Sequence, residues 1–148
     1  MRKPLSEETS SGFLLHAKDF LVAAEFILNR TSGISLPAYY LFGLSVELSL
    51  KAFLLSCGTT PNELKSPKFG HNLAALLDEA QRCGLKDKVV LDQQEFGVVK
   101  LLSYDYLLGR RLAYRVTGGK YHLPLIEVTE AVARKLVFGL ETICTSSE

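Results

Sequence analysis

Apolar residues recur at helical spacing along most of this chain, and that spacing limits the possible folds more than any other feature. Between about Glu7 and Arg30, successive apolar residues are separated alternately by four and three positions. They are Phe13, Ala17, Phe20, Ala24 and Ile27. An α-helix has 3.6 residues per turn, so these side chains share one broad face. The sequence predicts a first helix here, with Ser6 as its N-cap and Glu8 near its positive end.

Two further segments have the end signals of helices as well as the spacing. The second predicted helix runs from Pro37 to Cys57, opening on proline and closing before glycine. Its predicted core stripe is Leu41, Leu44, Leu48, Ala52 and Leu55. Asn72 is suited to cap a third helix that stops at Gly84. The apolar face of this third helix is Leu73, Leu76, Leu77 and Ala80.

The last two predicted helices are less regular. From Asp92 to about Ala113 the chain is apolar on more than one face, which predicts a helix in the centre of the fold. A fifth helix is predicted from Pro124 to about Thr145, and the β-branched residues at its start leave a strand as the alternative there. Its inward residues are predicted to be Leu125, Val128, Val132, Leu136 and Ile143.

Amphipathic helices joined by short connections pack as antiparallel bundles. The prediction is therefore an all-α fold, an antiparallel bundle of four to five helices, and a length of 148 residues fits one domain over 1–148. The three cysteines are odd in number and lie far apart without a CxxC pair, which favours structural thiols in a reducing cytoplasm. With no local ligand spacing among cysteines or histidines, we expect neither a metal nor another cofactor.

The most apolar stretch, Leu36 to Cys57, is long enough to span a membrane. Glu47 and Lys51 stand near its middle, and each would cost several kcal/mol in lipid. We therefore expect a buried helix and no membrane association. Glu47 precedes Lys51 by four residues, the favoured order for an ion pair on one helix, and a role beside a basic loop is the alternative for Glu47.

Between Gly109 and Pro124, the basic segment, four cations, two tyrosines and a histidine gather without an acidic residue. The formal net charge is only +1, so attraction for a polyanion must come from such local clustering. Arg115 offers a permanent forked donor for phosphate, and His122 a titratable imidazole. The run Thr117–Lys120 lacks the earlier glycine and the following Ser or Thr of a nucleotide-binding P-loop.

Two stretches carry a family resemblance. They are YYLFGLSVELSLKAFLLSCG from Tyr39 to Gly58 and GHNLAALLDEAQRCGL from Gly70 to Leu85. With Arg115 and His122 placed ahead of the last predicted helix, the chain resembles the HEPN superfamily of helical nucleotide-binding and ribonuclease domains. In that family an arginine and a histidine with four to six residues between them lie in the connection before the last helix, and Arg115 and His122 fit this spacing at its upper limit.

The resemblance implies metal-independent endoribonuclease activity, possible membership of a toxin–antitoxin pair, and a homodimer in which two motifs meet. Arg115 would stabilise charge on the phosphate and His122 would move a proton. Additional contacts to RNA or a nucleotide are expected from Arg110, Arg111, Lys120, Tyr114 and Tyr121, although tyrosines at helical spacing also pack against protein. Supporting roles fall to Glu47, Lys51 and His71, with helix capping as the alternative for His71.

Two other functions are compatible with these residues. One is a non-catalytic module that binds a nucleotide, an RNA or a partner such as a nucleotidyltransferase-type antitoxin. The other is a purely structural helical dimer, with Arg115 and His122 in a solvated loop or a structural salt bridge.

Overall fold

The computed structural model describes residues 8–107 and 123–146. Over those ranges the chain is helical and contains no strand, which confirms the predicted all-α bundle. A short 3-10 helix, Leu85–Asp87, lies between α4 and α5. The α-helices are α1 Ser10–Leu28, α2 Leu36–Ser56, α3 Pro61–Leu64, α4 Leu73–Arg82, α5 Gln93–Leu107, α6 Ile126–Gly139 and α7 Glu141–Ser146.

The start of α1 differs from the prediction. Thr9, and not Ser6, is the N-cap: its Oγ1 accepts a hydrogen bond from the backbone N–H of Gly12 at 3.0 Å. Ser10 then donates to the carbonyl of Cys144 at 3.1 Å and ties the first residue of α1 to α7. This tertiary contact fixes where the helix begins, and the spacing of apolar residues along α1 carries no information about it.

The central helix is α2, which packs against α1, α4, α5, α6 and α7. The prediction had placed the fourth helix in the centre. Most of the predicted stripe of α2 is only partly buried, while Phe42, Val46, Leu50 and Leu54 are 0% exposed. A helix covered on nearly every side has no single apolar face, so helical spacing cannot identify its most buried residues.

In length and apolar composition α2 would be able to cross a membrane, and within the described residues no other helix meets those two criteria. However, 72% of the most apolar 18-residue stretch of α2 is buried inside the bundle, where it packs against protein. In this structure α2 is a core helix.

The prediction of α4 is confirmed in detail. Asn72 caps it, its four predicted core residues are buried, and Gly84 after it adopts a φ of 94°, in the left-handed region that favours glycine. The connection before α4 contains α3, a four-residue helix that the sequence analysis missed. Thr60 and Glu63 cap it reciprocally, a Thr-x-x-Glu pattern visible in the sequence.

The predicted helix from Pro124 to Thr145 is divided into α6 and α7 at Leu140, and it contains no strand. Gly139 lies against Val89, since a Cβ added to this glycine would approach Val89 Cγ2 to 2.6 Å. Glycine permits this close contact and weakens the helix at the same point. Leu125 is 60% exposed instead of buried, because it precedes α6 and does not share the phase of its apolar face.

The cysteines are all free, but only Cys144 lies in the core; Cys57 and Cys83 are exposed. Burial raises the pKa of the Cys144 thiol to about 11. The prediction of structural thiols therefore fits Cys144 and is wrong for the other two, which follow the ends of α2 and α4 where the chain turns into solvent.

Two carboxyl groups share a proton between α1 and α6. Glu130 is hydrogen-bonded to Glu25, and this bond, with burial and the charge of Glu25, raises the pKa of Glu130 to about 7. Burial opposes ionisation of Glu25, but hydrogen bonds from Glu130 and from Arg134, whose Nη1 lies at 2.6 Å, lower its pKa. The result is a carboxyl–carboxylate pair joined to a guanidinium.

Alanine at position 139 should destabilise the fold by about 1–3 kcal/mol, because its Cβ would overlap Val89 in a buried contact. The matched control is Gly97→Ala on the exposed side of α5, where nothing lies within 4 Å of the added Cβ. Removing a helical glycine there should stabilise by about 0.5–1 kcal/mol. Urea unfolding measures both, and equal effects of the two substitutions would contradict this account.

The stabilisation from protonated Glu130 should be fully present below pH 4.5, the ordinary value for this carboxyl, and be lost as pH rises through about 7. Glutamine at position 130 keeps a donor toward Glu25 at every pH. The stability of Glu130→Gln relative to wild type should therefore increase between pH 5 and pH 8.5 in urea titrations. Asp78→Asn, which removes an exposed carboxylate from α4, controls for the change in net charge. A pH-independent difference for Glu130→Gln would count against the shared proton.

Candidate functional site

An ion pair lies inside the bundle on α2. Glu47 is 3% exposed and Lys51 9%, and the Lys51 Nζ lies 2.9 Å from Glu47 Oε2. The predicted pair is thus present, but buried. A single buried charge costs several kcal/mol, so each of these groups requires the other.

A third residue reaches this pair from a different part of the chain. The Nδ1 of His71, just before the cap of α4, lies 3.0 and 3.1 Å from the two Glu47 carboxylate oxygens. Its side chain is otherwise 71% exposed. An ionised carboxylate only accepts hydrogen bonds, so a neutral His71 must carry its proton on Nδ1 and present Nε2 as an acceptor. The cap of α4 is Asn72 and not His71, and the contact of His71 with Glu47 connects the start of α4 to α2. We call the three residues Glu47, Lys51 and His71 the Glu47 cluster.

The N-terminus of α4 is also tied to α5. The Ser103 hydroxyl donates to Asn72 Oδ1 at 3.3 Å and accepts from the Ala74 N–H at 3.1 Å. Ser103 is 4% exposed, so both contacts are protected from water. The sequence does not predict a role for this serine, because one serine on a mostly apolar helix has no distinctive pattern.

Nearer the start of α2, Tyr39 holds the segment that leads into the last two helices. Its hydroxyl donates to the carbonyl of Pro124 at 2.6 Å, and the side chain is 6% exposed. Burial and the nearby charge of Glu127 raise the Tyr39 pKa, which keeps the hydroxyl protonated as a donor. Tyr39 lies eight residues before Glu47, or about 12 Å along α2. This contact was not predicted, since it joins residues 85 positions apart.

Seven of the predicted site residues lie outside the described residues, and their proposed roles stay predictions. They are Arg110, Arg111, Tyr114, Arg115, Lys120, Tyr121 and His122. The described chain stops at Leu107, one turn after Ser103, and resumes at Leu123, beside the carbonyl held by Tyr39. Residues 108–122 therefore follow α5, which contacts α2 and α4, and precede the short segment that leads into α6, which contacts α2.

In the described ranges, no three His, Cys, Asp or Glu side chains form a group suited to hold a metal ion. The Glu47 cluster offers instead a buried carboxylate neutralised by an ammonium, and an imidazole with one nitrogen toward solvent. Such an arrangement can orient a histidine for proton transfer or for binding an anion.

The chain matches no protein-family model, no curated protein and no solved structure in comparisons of each kind.

Replacing Lys51 by methionine should destabilise the protein by about 3 kcal/mol at neutral pH, because the buried Glu47 would lose its cation. The double variant Glu47→Gln with Lys51→Met should recover much of that loss, since it leaves no uncompensated buried charge. Chemical unfolding of the wild type, the single variant and the double variant checks this. A double variant no more stable than Lys51→Met alone would show that charge burial is not the cause.

Proposed function

We propose that this chain is a HEPN-like domain acting as a metal-independent endoribonuclease on RNA in the cytoplasm, with Arg115 and His122 at its reacting centre. Its all-helical fold is compatible with the resemblance. The two stretches that carry the resemblance are the central helix α2 and the capped start of α4, and these are the elements that meet at the Glu47 cluster.

One observation carries the proposal: each end of residues 108–122 is tied to an element of the Glu47 cluster. Ahead of the segment, Ser103 is bonded to Asn72, the neighbour of His71, and after it Pro124 is bonded to Tyr39, on the same helix as Glu47. The four cations of the basic segment lie close together in the sequence without an acidic residue among them, and such a cluster attracts a phosphate.

The chemistry expected of the pair follows from its side chains. The guanidinium of Arg115 matches two phosphate oxygens with parallel donors and stays charged at every physiological pH. The imidazole of His122 can accept or give a proton near neutrality. The neighbouring cations and tyrosines would hold adjacent phosphates and bases. The proposal includes a homodimer that brings two motifs together, and an antitoxin partner of the nucleotidyltransferase type.

The wild-type protein should cut a labelled single-stranded RNA in excess EDTA, leaving a 2′,3′-cyclic phosphate and a 5′-hydroxyl. His122→Ala should slow cleavage by about 100-fold or more, the usual contribution of a proton-transfer residue. His16→Ala, the same substitution at an exposed histidine of α1, is the matched control and should cleave like wild type.

Equal background cleavage by wild type and His122→Ala would refute the enzyme. Fluorescence anisotropy then tests the non-catalytic module. Binding of RNA that survives His122→Ala and weakens steeply with salt would favour that alternative, because phosphate contacts release counterions.

A further inference from the structure

We infer that His71 is a second proton-transfer residue of this site and works through its Nε2 atom. The inference rests on the proposed function. In that reaction the 2′-oxygen attacks phosphorus and gives up its proton while the P–O5′ bond breaks, and the departing O5′ takes a proton. Two proton transfers are needed, and His122 provides one group for them in each copy of the chain.

His71 has the geometry for such a role. Its Nδ1 is fixed by two contacts to Glu47, at 3.0 and 3.1 Å, while 71% of its side chain faces solvent. Nε2 has no hydrogen-bond partner among the described residues. A carboxylate on one ring nitrogen sets the tautomer and orientation of the ring, so the other nitrogen is prepared to accept or return a proton.

The carboxylate that orients His71 is itself held firmly. Glu47 is 3% exposed, lies in the central helix and bonds Lys51 at 2.9 Å. A surface ion pair would move with its side chains, whereas a buried one keeps its geometry. Glu47 is thus a positioning residue for His71, and Lys51 holds Glu47 in place.

Three other described groups that could move a proton are engaged or lie elsewhere. The Tyr39 hydroxyl donates to the Pro124 carbonyl. Glu130 shares its proton with Glu25 between α1 and α6. His16 is exposed on α1 and no described carboxylate orients it. His71 combines a fixed ring with an accessible nitrogen next to an attachment point of residues 108–122.

The test compares two RNA substrates that differ in one atom at the cleaved bond. In one the leaving atom is the natural 5′-oxygen, and in the other it is a 5′-bridging sulfur, which leaves without being protonated. His71→Ala and His71→Gln should each slow cleavage of the oxygen substrate by about 100-fold or more. Glutamine can still donate to Glu47, so a purely structural His71 would tolerate it.

The sulfur substrate then shows which proton His71 moves. If His71 protonates O5′, the sulfur substrate restores cleavage by the His71 variants. If His71 takes the proton of the 2′-hydroxyl, the sulfur substrate restores His122→Ala instead. Restoration of neither variant would overturn proton transfer by His71.

Two further outcomes separate this inference from the proposed function. In the first, wild type cleaves, His122→Ala does not, and His71→Gln cleaves at the wild-type rate. The inference about His71 alone is then wrong, and a second His122 from a partner copy is the better candidate for the second proton transfer. If wild type does not cleave RNA, the proposed function fails and the role of His71 fails with it.

The histidine ring can also be observed without activity. Long-range ¹H–¹⁵N correlation of labelled protein should show neutral His71 protonated on Nδ1 in the wild type. Glu47→Gln should shift it toward the Nε2-protonated form that predominates in free histidine. A wild-type His71 protonated on Nε2 would contradict the assigned geometry.

Discussion

A buried charge must be paired where it lies, and in this chain the charge of Glu47 determines how the elements meet. Lys51 pairs with it from within α2, and His71 contacts it from the connection before α4. That connection must return to the middle of α2, which fixes the position where Asn72 begins α4. Through Asn72 and Ser103 the start of α4 then fixes α5. The contacts that pair the buried carboxylate of α2 are thus also contacts that position the neighbouring helices around it.

Features encoded within a few residues were predictable, and features that join distant residues were not. The spacing in α4, its Asn72 cap and the Glu47–Lys51 pair are all local, and all three are present. In contrast, the break after Gly139 depends on its contact with Val89. The buried face of α2 likewise depends on five neighbouring helices. A local pattern cannot predict either.

The same division applies to the candidate site. The sequence indicated His71 as a residue at a helix start, but its contact with Glu47 spans 24 positions and needs the folded chain. The anchoring of Pro124 by Tyr39 had no signal in the sequence at all. The basic segment is the reverse case: its composition suggests a phosphate partner, and that suggestion comes from the sequence alone. The proposed function joins the two, since the basic segment connects α5 to the residues ahead of α6, and both α5 and α6 contact α2.

The carboxyl pair between α1 and α6 changes the net charge of the folded chain. The formal charge of +1 counts every carboxylate as ionised. Glu130, whose pKa is raised to about 7 by its hydrogen bond to Glu25, is close to half-protonated at neutral pH, so this group makes the folded chain about half a charge more positive than its composition implies. Mild acidification completes the protonation of Glu130. Folding itself therefore takes up a fraction of a proton near neutrality.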